Sequence, residues 1–179
     1  MEPRLVLNAG PLMITEFVAV NDSGLRDSFL EQSDWIEIHN PTDATIDLEG
    51  WSLSDDPDDL TQWQFPEATL DAGDYLVVFA SGRGVTTAGG EMHTNFKLGG
   101  SGEYLALVQP DGFTIAHEYA PEFPEQYGDY SYGVKQEFIP LIDAEADLLY
   151  HVPTAADAGA DWTATDFDDS AWQAKGSQS

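Results

Sequence analysis

Residues 33–84, SDWIEIHNPTDATIDLEGWSLSDDPDDLTQWQFPEATLDAGDYLVVFASGRG, decide the fold of this chain. Within them, short apolar segments alternate with polar residues, and each segment is closed by Pro, Gly, Asn or Asp. Alternation with a period of two over about four to eight residues is typical of a strand with one buried and one solvated face. Many such strands joined by turn residues predict an all-β, immunoglobulin-like β-sandwich.

The same pattern of short alternating segments and turn residues extends over residues 12–134. We predict strands at 12–19, 35–39, 45–48, 51–54, 63–65, 75–80, 95–98, 103–108 and 114–119, with a loop at 21–33. Trp51, Trp63 and Phe65 occupy alternating strand positions, so we predict that they lie in the core. No long amphipathic helix is visible in the sequence.

Composition divides the chain into four segments. Residues 1–11 are expected to be an N-terminal lead-in, and residues 12–135 the β-domain. Residues 136–160 become acidic and rich in small side chains, which is typical of a linker. Residues 161–179 place two Trp and one Phe among acids, and we expect them to be the truncated start of a following domain.

The charge is strongly negative. Six Lys and Arg stand against 33 Asp and Glu, which gives a formal net charge of −27. Such a surface repels nucleic acid and anionic lipid, and no window approaches the ~18 apolar residues of a membrane span. The remaining partner classes are cations, glycans and basic protein surfaces. The alternative interpretation is that the charge serves solubility or adaptation to a salty environment, where screening relieves self-repulsion. We expect a protein or glycan partner, other domains of the same parent chain, no nucleic acid and no direct insertion into a membrane.

Motifs for catalysis are missing from the sequence. Cysteine is absent, Gly-x-Ser-x-Gly does not occur, and there is no phosphate-binding Gly-x-x-x-x-Gly-Lys-Ser/Thr. The histidines His39, His93, His117 and His151 show no zinc-like spacing. We interpret them as surface or edge residues, and we predict no catalytic residues and no cofactor.

One acidic turn is a candidate metal site. Asp55, Asp56, Asp58 and Asp59 surround Pro57, and Ca²⁺ takes six to eight oxygen ligands from flexible loops. The alternative interpretation is a solvated turn whose carboxylates repel one another. A weaker second cluster is formed by Asp166, Asp168 and Asp169. Tyr127, Tyr130 and Tyr132 are interpreted either as exposed contact residues or as packed in the core or in a turn.

The chain resembles the lamin tail domain family over about residues 12–134. The matching segments are DWIEI at 34–38, DLEGWSLSD at 47–55, WQFP at 63–66, LDAG at 70–73, VFASG at 78–82, HTNFKL at 93–98, EYLAL at 103–107 and SYG at 131–133. This resemblance implies an immunoglobulin-like sandwich, and its later segments resemble the bacterial branch of the family. Nuclear members bind DNA, but the net charge of this chain argues against carrying that property over.

The two flanks add a second resemblance. Residues 2–9 resemble an N-terminal motif of large exported bacterial proteins, and residues 161–172 resemble the start of a jelly-roll, galactose-binding-like domain. Together they imply an extracellular or cell-surface multidomain parent. We therefore expect a non-catalytic binding, adhesion or spacer module. The alternatives are a calcium-dependent structural module and an accessory substrate-binding domain of a larger enzyme.

Overall fold

The structure is a computed structural model, and the chain divides into two compact units, Met1–Lys135 and Gln136–Ser179. The described residues are 4–6, 11–87, 90–134, 149–150, 152, 154, 168, 170 and 172–174. All regular secondary structure in these ranges is β-strand. The predicted all-β class is therefore confirmed.

The first unit contains twelve described strands. They are β1 (Arg4–Val6), β2 (Met13–Val18), β3 (Asp34–His39), β4 (Ile46–Asp47), β5 (Ser52–Ser54), β6 (Trp63–Gln64), β7 (Thr69–Leu70), β8 (Tyr75–Ala80), β9 (Met92–His93), β10 (Leu105–Val108), β11 (Ile115–Ala120) and β12 (Tyr132–Gly133). Most are bounded by the Pro, Gly, Asn and Asp residues that end strands.

The strands form two five-stranded sheets and one short ladder. The first sheet has the order β1-β11-β10-β5-β6, and the second has the order β12-β2-β3-β8-β9. Pairing is antiparallel except between β8 and β9, which run parallel. Gly133 is required in β12, because a Cβ atom there would lie 2.1 Å from the Thr15 carbonyl oxygen. The immunoglobulin-like sandwich predicted from the sequence is confirmed.

The core lies between the two five-stranded sheets. Alternate residues of β3, Ile36 and Ile38, are fully buried, as are Leu105 and Leu107 of β10. Burying one such side chain is worth about 1.5–3 kcal/mol, so this layer supplies the main stabilisation of the unit. The prediction that Trp51, Trp63 and Phe65 lie in the core is confirmed, since all three are buried.

One strand prediction is wrong. Residues 95–98 do not form a strand, and the chain pairs with β8 slightly earlier, through Met92–His93. Phe96 and Leu98 are buried alternately as a strand would require, but only Lys97 makes an isolated bridge, to Ser81. Alternating burial therefore arises here without a continuous ladder.

Short strands also lie outside residues 12–135. β1 lies within the expected lead-in, where it pairs antiparallel with β11 at the edge of the first sheet. In the second unit, Leu149–Tyr150 (β13) pairs antiparallel with Gln173–Ala174 (β14), so a strand lies within the expected linker. Ladders of two or three residues are held by backbone hydrogen bonds, and composition gives little sign of them.

Candidate recognition surface

The second sheet turns one set of side chains away from the core. Because Ile36 and Ile38 are buried, the residues between and beside them, Trp35, Glu37 and His39, project from the opposite surface. We call this surface the outer face; it consists of Thr15, Glu16, Val18, Trp35, Glu37, His39, Tyr75 and Val77.

Two carboxylates lie side by side on the outer face. The ladder between β2 and β3 is irregular between Ile14 and Glu16, and Glu16 is paired directly with Glu37. The Thr15 hydroxyl donates a hydrogen bond of 2.7 Å to Glu37 Oε1. Neither glutamate makes an ion pair within the described part of the chain. Strands β2, β3, β8 and β12 contain no Lys or Arg at all.

Aromatic rings flank these carboxylates along β3. On one side the imidazole of His39 stacks on Tyr75, with ring centroids 4.1 Å apart and an angle of 8° between the ring planes. Tyr75 keeps 55% of its surface exposed. On the other side lies the half-buried Trp35. The outer face therefore offers flat apolar rings on both sides of a negative centre.

The loop at residues 20–33 covers the Trp35 end of the sheet and is tightly hydrogen-bonded. Asn21 is buried, and its amide nitrogen donates to the carbonyl oxygens of Leu25 (2.7 Å) and Ser33 (2.8 Å). Its amide oxygen accepts a hydrogen bond from the Gly24 backbone, at 3.0 Å. These bonds fix the first half of the loop.

Asp27 fixes the second half. Its carboxylate accepts hydrogen bonds from the backbone N–H groups of Phe29 and Glu31, both at 2.9 Å, and from the Ser33 hydroxyl. Burial alone raises the pKa of Asp27, but the hydrogen bonds from Glu31, Ser33 and Phe29 outweigh it and hold the pKa below its usual value. The carboxylate is therefore a charged anchor for the turn.

The anchored turn presents apolar side chains to solvent. Leu25, Phe29 and Leu30 are 48%, 46% and 75% exposed, and Leu30 adopts a left-handed backbone with φ of 66°. Arg83 lies over the Phe29 ring at 4.3 Å and pairs with Glu31 at 2.6 Å. A rigid loop that exposes apolar side chains is a common feature of binding sites.

A cavity of about 180 Å³ lies where this loop meets the outer face. Its walls are mainly apolar. The lining residues are Glu16, Val18, Asn21, Gly24, Leu25, Trp35, Asp129 and Ser131. Asp129 has a left-handed backbone, with φ of 63°, and its Oδ1 accepts hydrogen bonds from the backbone of Asp22 (2.8 Å) and Ser23 (2.7 Å).

A buried histidine links β8, β9 and the loop. His93 Nδ1 lies 3.0 Å from Ser81 Oγ, and His93 Nε2 lies 2.9 Å from Glu91 Oε1. Because the carboxylate only accepts, Nε2 carries a proton, and in the neutral imidazole Nδ1 accepts from the Ser81 hydroxyl. Glu91 Oε1 also accepts from the Ser28 backbone at 2.8 Å.

These residue types match a serine hydrolase triad, but their setting is that of a structural link. The His93 ring is completely buried, between Phe79 and Phe29. The Arg83 backbone N–H, a donor near the hydroxyl, is bonded to Ser81 Oγ itself at 3.3 Å and so is not aimed at an oxyanion position. The arrangement joins two strands to the loop through buried hydrogen bonds.

Ser81 also lines a second, polar cavity of about 190 Å³. Its other walls are Glu31, Gln32, Ser33, Asp34, Ala80 and Lys97. Burial raises the pKa of Asp34 to about 6, against the opposing effect of hydrogen bonds from the backbone of Asn21 and Leu98. This is the most strongly perturbed carboxylate in the described part of the chain.

The predicted calcium residues lie in a turn between β5 and β6. Ser54 Oγ donates towards the backbone oxygens of Asp56 and Asp59, and the Asp55 backbone donates to Gln62. Burial raises the pKa of Asp55, and Asp56 Oδ1 accepts from the Asp58 backbone. Across the described ranges, no three His, Cys, Asp or Glu side chains are grouped in a way that could hold a metal ion.

The surface interpretation is wrong for His93 and His117, although β9, which carries His93, is the edge strand of its sheet. His93 and His117 are buried rather than at the surface, because β9 lies beneath the anchored loop and β11 turns His117 to the same side as Tyr119. His39 is half-buried on the outer face. His151 lies outside the described residues. The shared parity of His117 and Tyr119 in β11 is a sequence signal that could have placed His117 inside.

The remaining candidate residues are the three tyrosines and the second group of aspartates. Tyr127 and Tyr130 are exposed, whereas Tyr132 packs between Phe17 and Tyr119 with centroid distances of 5.6 and 5.8 Å. Asp168 is exposed and accepts a hydrogen bond from the Ser170 backbone. Asp166 and Asp169 lie outside the described residues.

Fold and surface together define an immunoglobulin-like β-sandwich with an open, acidic and aromatic sheet face. The sequence profile of the lamin tail domain matches residues 7–121, which is more than half of the chain. The chain belongs to the lamin tail domain family, a family of non-enzymatic immunoglobulin-like domains. No curated protein matches the sequence. Among the described residues, no helix is long and apolar enough to cross a membrane.

Proposed function

We propose that this domain is a non-catalytic recognition module that binds a basic segment of a partner protein on its outer face. The observation that carries the proposal is the direct pairing of Glu16 with Glu37 on strands without any Lys or Arg. Like charges placed opposite each other destabilise a sheet by themselves. A bound cationic group would neutralise both.

Charge over the whole chain supports the same partner class. A net charge of −27 attracts cationic partners over long distances and accelerates their association, especially at low ionic strength. Acidic proteins and anionic glycans are repelled by the same field. A neutral glycan could stack on Trp35 or Tyr75 but would leave the two carboxylates uncompensated, so the surface favours a basic protein.

The wider setting is part of the proposal. An exported, multidomain bacterial parent is supported by the resemblance of residues 2–9 and 161–172 to segments of such proteins. In that setting the module would act at the cell surface or outside the cell, in adhesion or in spacing other domains. The same outer face would serve if the parent were a larger enzyme.

Peptide binding by the whole chain tests the recognition function. Fluorescent peptides of equal length and equal aromatic content, one basic, one acidic and one neutral, are titrated and followed by anisotropy at about 0.01 M and about 0.15 M ionic strength. We expect the basic peptide alone to bind, and more weakly at the higher ionic strength. Equal binding of all three, or of none, contradicts the proposal.

A charge-matched pair of variants separates the outer face from general attraction. Glu16→Lys with Glu37→Lys reverses two charges on the face, and Glu49→Lys with Glu67→Lys reverses two exposed charges elsewhere. The first variant is expected to abolish binding and the second to slow association only. If both lose the same affinity, the outer face has no special role. A fluorophosphonate probe that labels Ser81 would contradict the non-catalytic part.

A further inference from the structure

The cavity beside Trp35 is a preformed pocket at the Trp35 end of the outer face. Its volume of about 180 Å³ suits one long side chain rather than a whole ligand. Apolar walls come from Trp35, Val18 and Leu25, and carboxylates come from Glu16 and Asp129. A side chain with an apolar stem and a cationic end has the complementary chemistry.

The pocket is held open by the hydrogen bonds of its own loop. Asn21 uses three hydrogen bonds to shape the turn, and the absence of a side chain at Gly24 is required, since a Cβ there would lie 2.8 Å from Asn21 Oδ1. Asp129 bonds the Asp22 and Ser23 backbone across the rim. A site that is ordered before binding loses little entropy when the ligand enters.

The rim of the pocket carries two negatively charged side chains, Glu16 and Asp129. Hydrogen bonds from Ser23, first from its side chain and then from its backbone, lower the pKa of Asp129, so this group stays ionised. Asp129 already accepts hydrogen bonds from the Ser23 hydroxyl and from the backbone of Asp22 and Ser23, so it acts on a nearby cation through its charge. Glu16 is engaged by no ion pair within the described ranges. Two acidic residues and one tryptophan therefore line the same small cavity.

Arginine fits this combination better than the other side chains do. Its planar guanidinium stacks on the face of a Trp ring while its five N–H donors lie in the plane, where they can reach carboxylates on the rim. Lysine offers a point charge with no plane to stack. A sugar offers apolar and hydroxyl surface but no positive charge.

The second glutamate extends the site along the sheet. Trp35 and Glu37 are two residues apart on β3 and therefore about 7 Å apart. An extended partner chain repeats its side chains at the same interval. Two cations separated by one residue would then reach the Trp35 pocket and Glu37 together.

We propose that the Trp35 cavity takes an arginine side chain from an extended Arg-x-Arg or Arg-x-Lys segment of the partner, whose second cation contacts Glu37. This assignment rests on the proposed recognition function and specifies its site. The pocket sets the identity of the first residue, and the distance from Trp35 to Glu37 along β3 sets the spacing of the second.

Peptides that differ in one feature test the assignment with the whole chain. The probes are a labelled peptide with Arg-x-Arg, and equal-charge versions with Lys-x-Lys and with Arg-Arg in adjacent positions. Removal of stacking lowers affinity by about fivefold or more, so we expect Arg-x-Arg to bind most tightly. Equal affinity for the three peptides overturns the assignment.

Variants locate the pocket. Glu16→Gln keeps size and shape, and Glu67→Gln makes the same change at an exposed site elsewhere. Glu16→Gln is expected to weaken Arg-x-Arg binding by about fivefold or more, and Glu67→Gln by less than about twofold. Trp35→Leu is expected to remove the preference for Arg over Lys, and its thermal midpoint reports whether the variant is folded.

The outcomes separate the two proposals. If basic peptides bind and depend on Glu37 but respond neither to Glu16→Gln nor to Trp35→Leu, the pocket assignment fails and the recognition function stands. If no basic peptide binds, both fail. The neutral glucan laminarin is the remaining probe. If laminarin binds and no basic peptide displaces it, the face is a glycan-binding site and the assignment is overturned.

Discussion

His117 and Tyr119 lie on the same core-facing side of β11, with ring centroids 5.2 Å apart, and neither ring nitrogen of His117 has a hydrogen-bond partner within the described structure. Their ladder partners Leu107 and Leu105 are fully buried core residues. The sandwich therefore holds an imidazole in an apolar environment, where its charged form is strongly disfavoured.

This burial makes the fold sensitive to acid. Burial lowers the pKa of His117 to about 4 from the usual 6.5. Between these values the unfolded chain binds a proton that the folded chain does not, so stability is lost as pH falls from 6.5 towards 4. The loss is about 3 kcal/mol. Denaturant unfolding of wild type and His117→Leu at pH 7.5 and pH 4.5 measures it, and we expect a smaller loss in the variant. An identical pH dependence in both contradicts the assignment.

Asp34 changes the stability of the fold in the opposite direction over nearly the same pH range. Its pKa is raised by burial to about 6 from the usual 3.8, so its ionisation in the folded state lowers stability as pH rises through this interval. Asp34→Asn removes the charge and keeps an oxygen for the backbone donors of Asn21 and Leu98. We expect a higher thermal midpoint than wild type at pH 7.5 and a much smaller difference at pH 4. A lower midpoint at pH 7.5 would show that the ionised form is stabilising.

The Glu16–Glu37 pair is expected to reduce stability in the unbound domain. Like charges placed directly opposite on neighbouring strands are unfavourable by about 0.2–1 kcal/mol. Glu16→Lys should therefore raise the free energy of unfolding by a similar amount while it removes peptide binding. The gain should shrink with added salt, because both side chains are partly exposed. A stability loss in Glu16→Lys at low salt would argue against repulsion between the two glutamates.

The sequence predicted the sheets because their signal is local. Trp35–His39 alternates apolar and polar residues, and its partner strand Tyr75–Ala80 is apolar with turns at both ends, so the strand pattern and the buried rows follow. The fold that follows is confirmed by the paired ladder of β3 and β8. Strand β9 was misplaced because alternating burial at Phe96 and Leu98 does not reveal which backbone pairs.

The candidate site could not be predicted in the same way. Twenty residues lie between Glu16 and Glu37 in the sequence. Their pairing depends on an irregular strand register that no local pattern shows. Asp129 joins the cavity from a segment over 100 residues away from Asp22 and Ser23. Contacts of this kind depend on tertiary packing. Charge composition sums over the chain and needs no contacts, so it predicts a cationic partner class that the peptide titrations test.

Ser81 is expected to contribute to stability through His93. Ser81→Ala removes the donor to a completely buried ring nitrogen, and a buried polar atom left without its partner costs about 1–3 kcal/mol. Chemical denaturation should show this loss. Ser101→Ala, at an exposed turn, serves as the control and should stay within about 0.5 kcal/mol of wild type. Equal effects of the two substitutions would mean that the buried link carries little energy.

The acidic turn at Asp55–Asp59 is the predicted location of a calcium site. Tight binding of Ca²⁺ needs several oxygens that converge on one point. Instead, Asp56 Oδ1 accepts a hydrogen bond from the Asp58 backbone and Asp59 Oδ1 accepts from Thr61. We therefore expect millimolar Ca²⁺ to raise the thermal midpoint no more than Mg²⁺ at equal concentration, since both then act only by screening.

The matched measurement uses wild type and the variant Asp56→Asn with Asp58→Asn, each with EDTA, Mg²⁺ and Ca²⁺. A ligand that binds only the folded state raises its midpoint by mass action. A rise specific to Ca²⁺ that disappears in the variant would contradict the expectation and place a calcium site at the turn. A rise common to both ions, reduced in the variant in proportion to its two lost charges, identifies repulsion among solvated carboxylates as the cause.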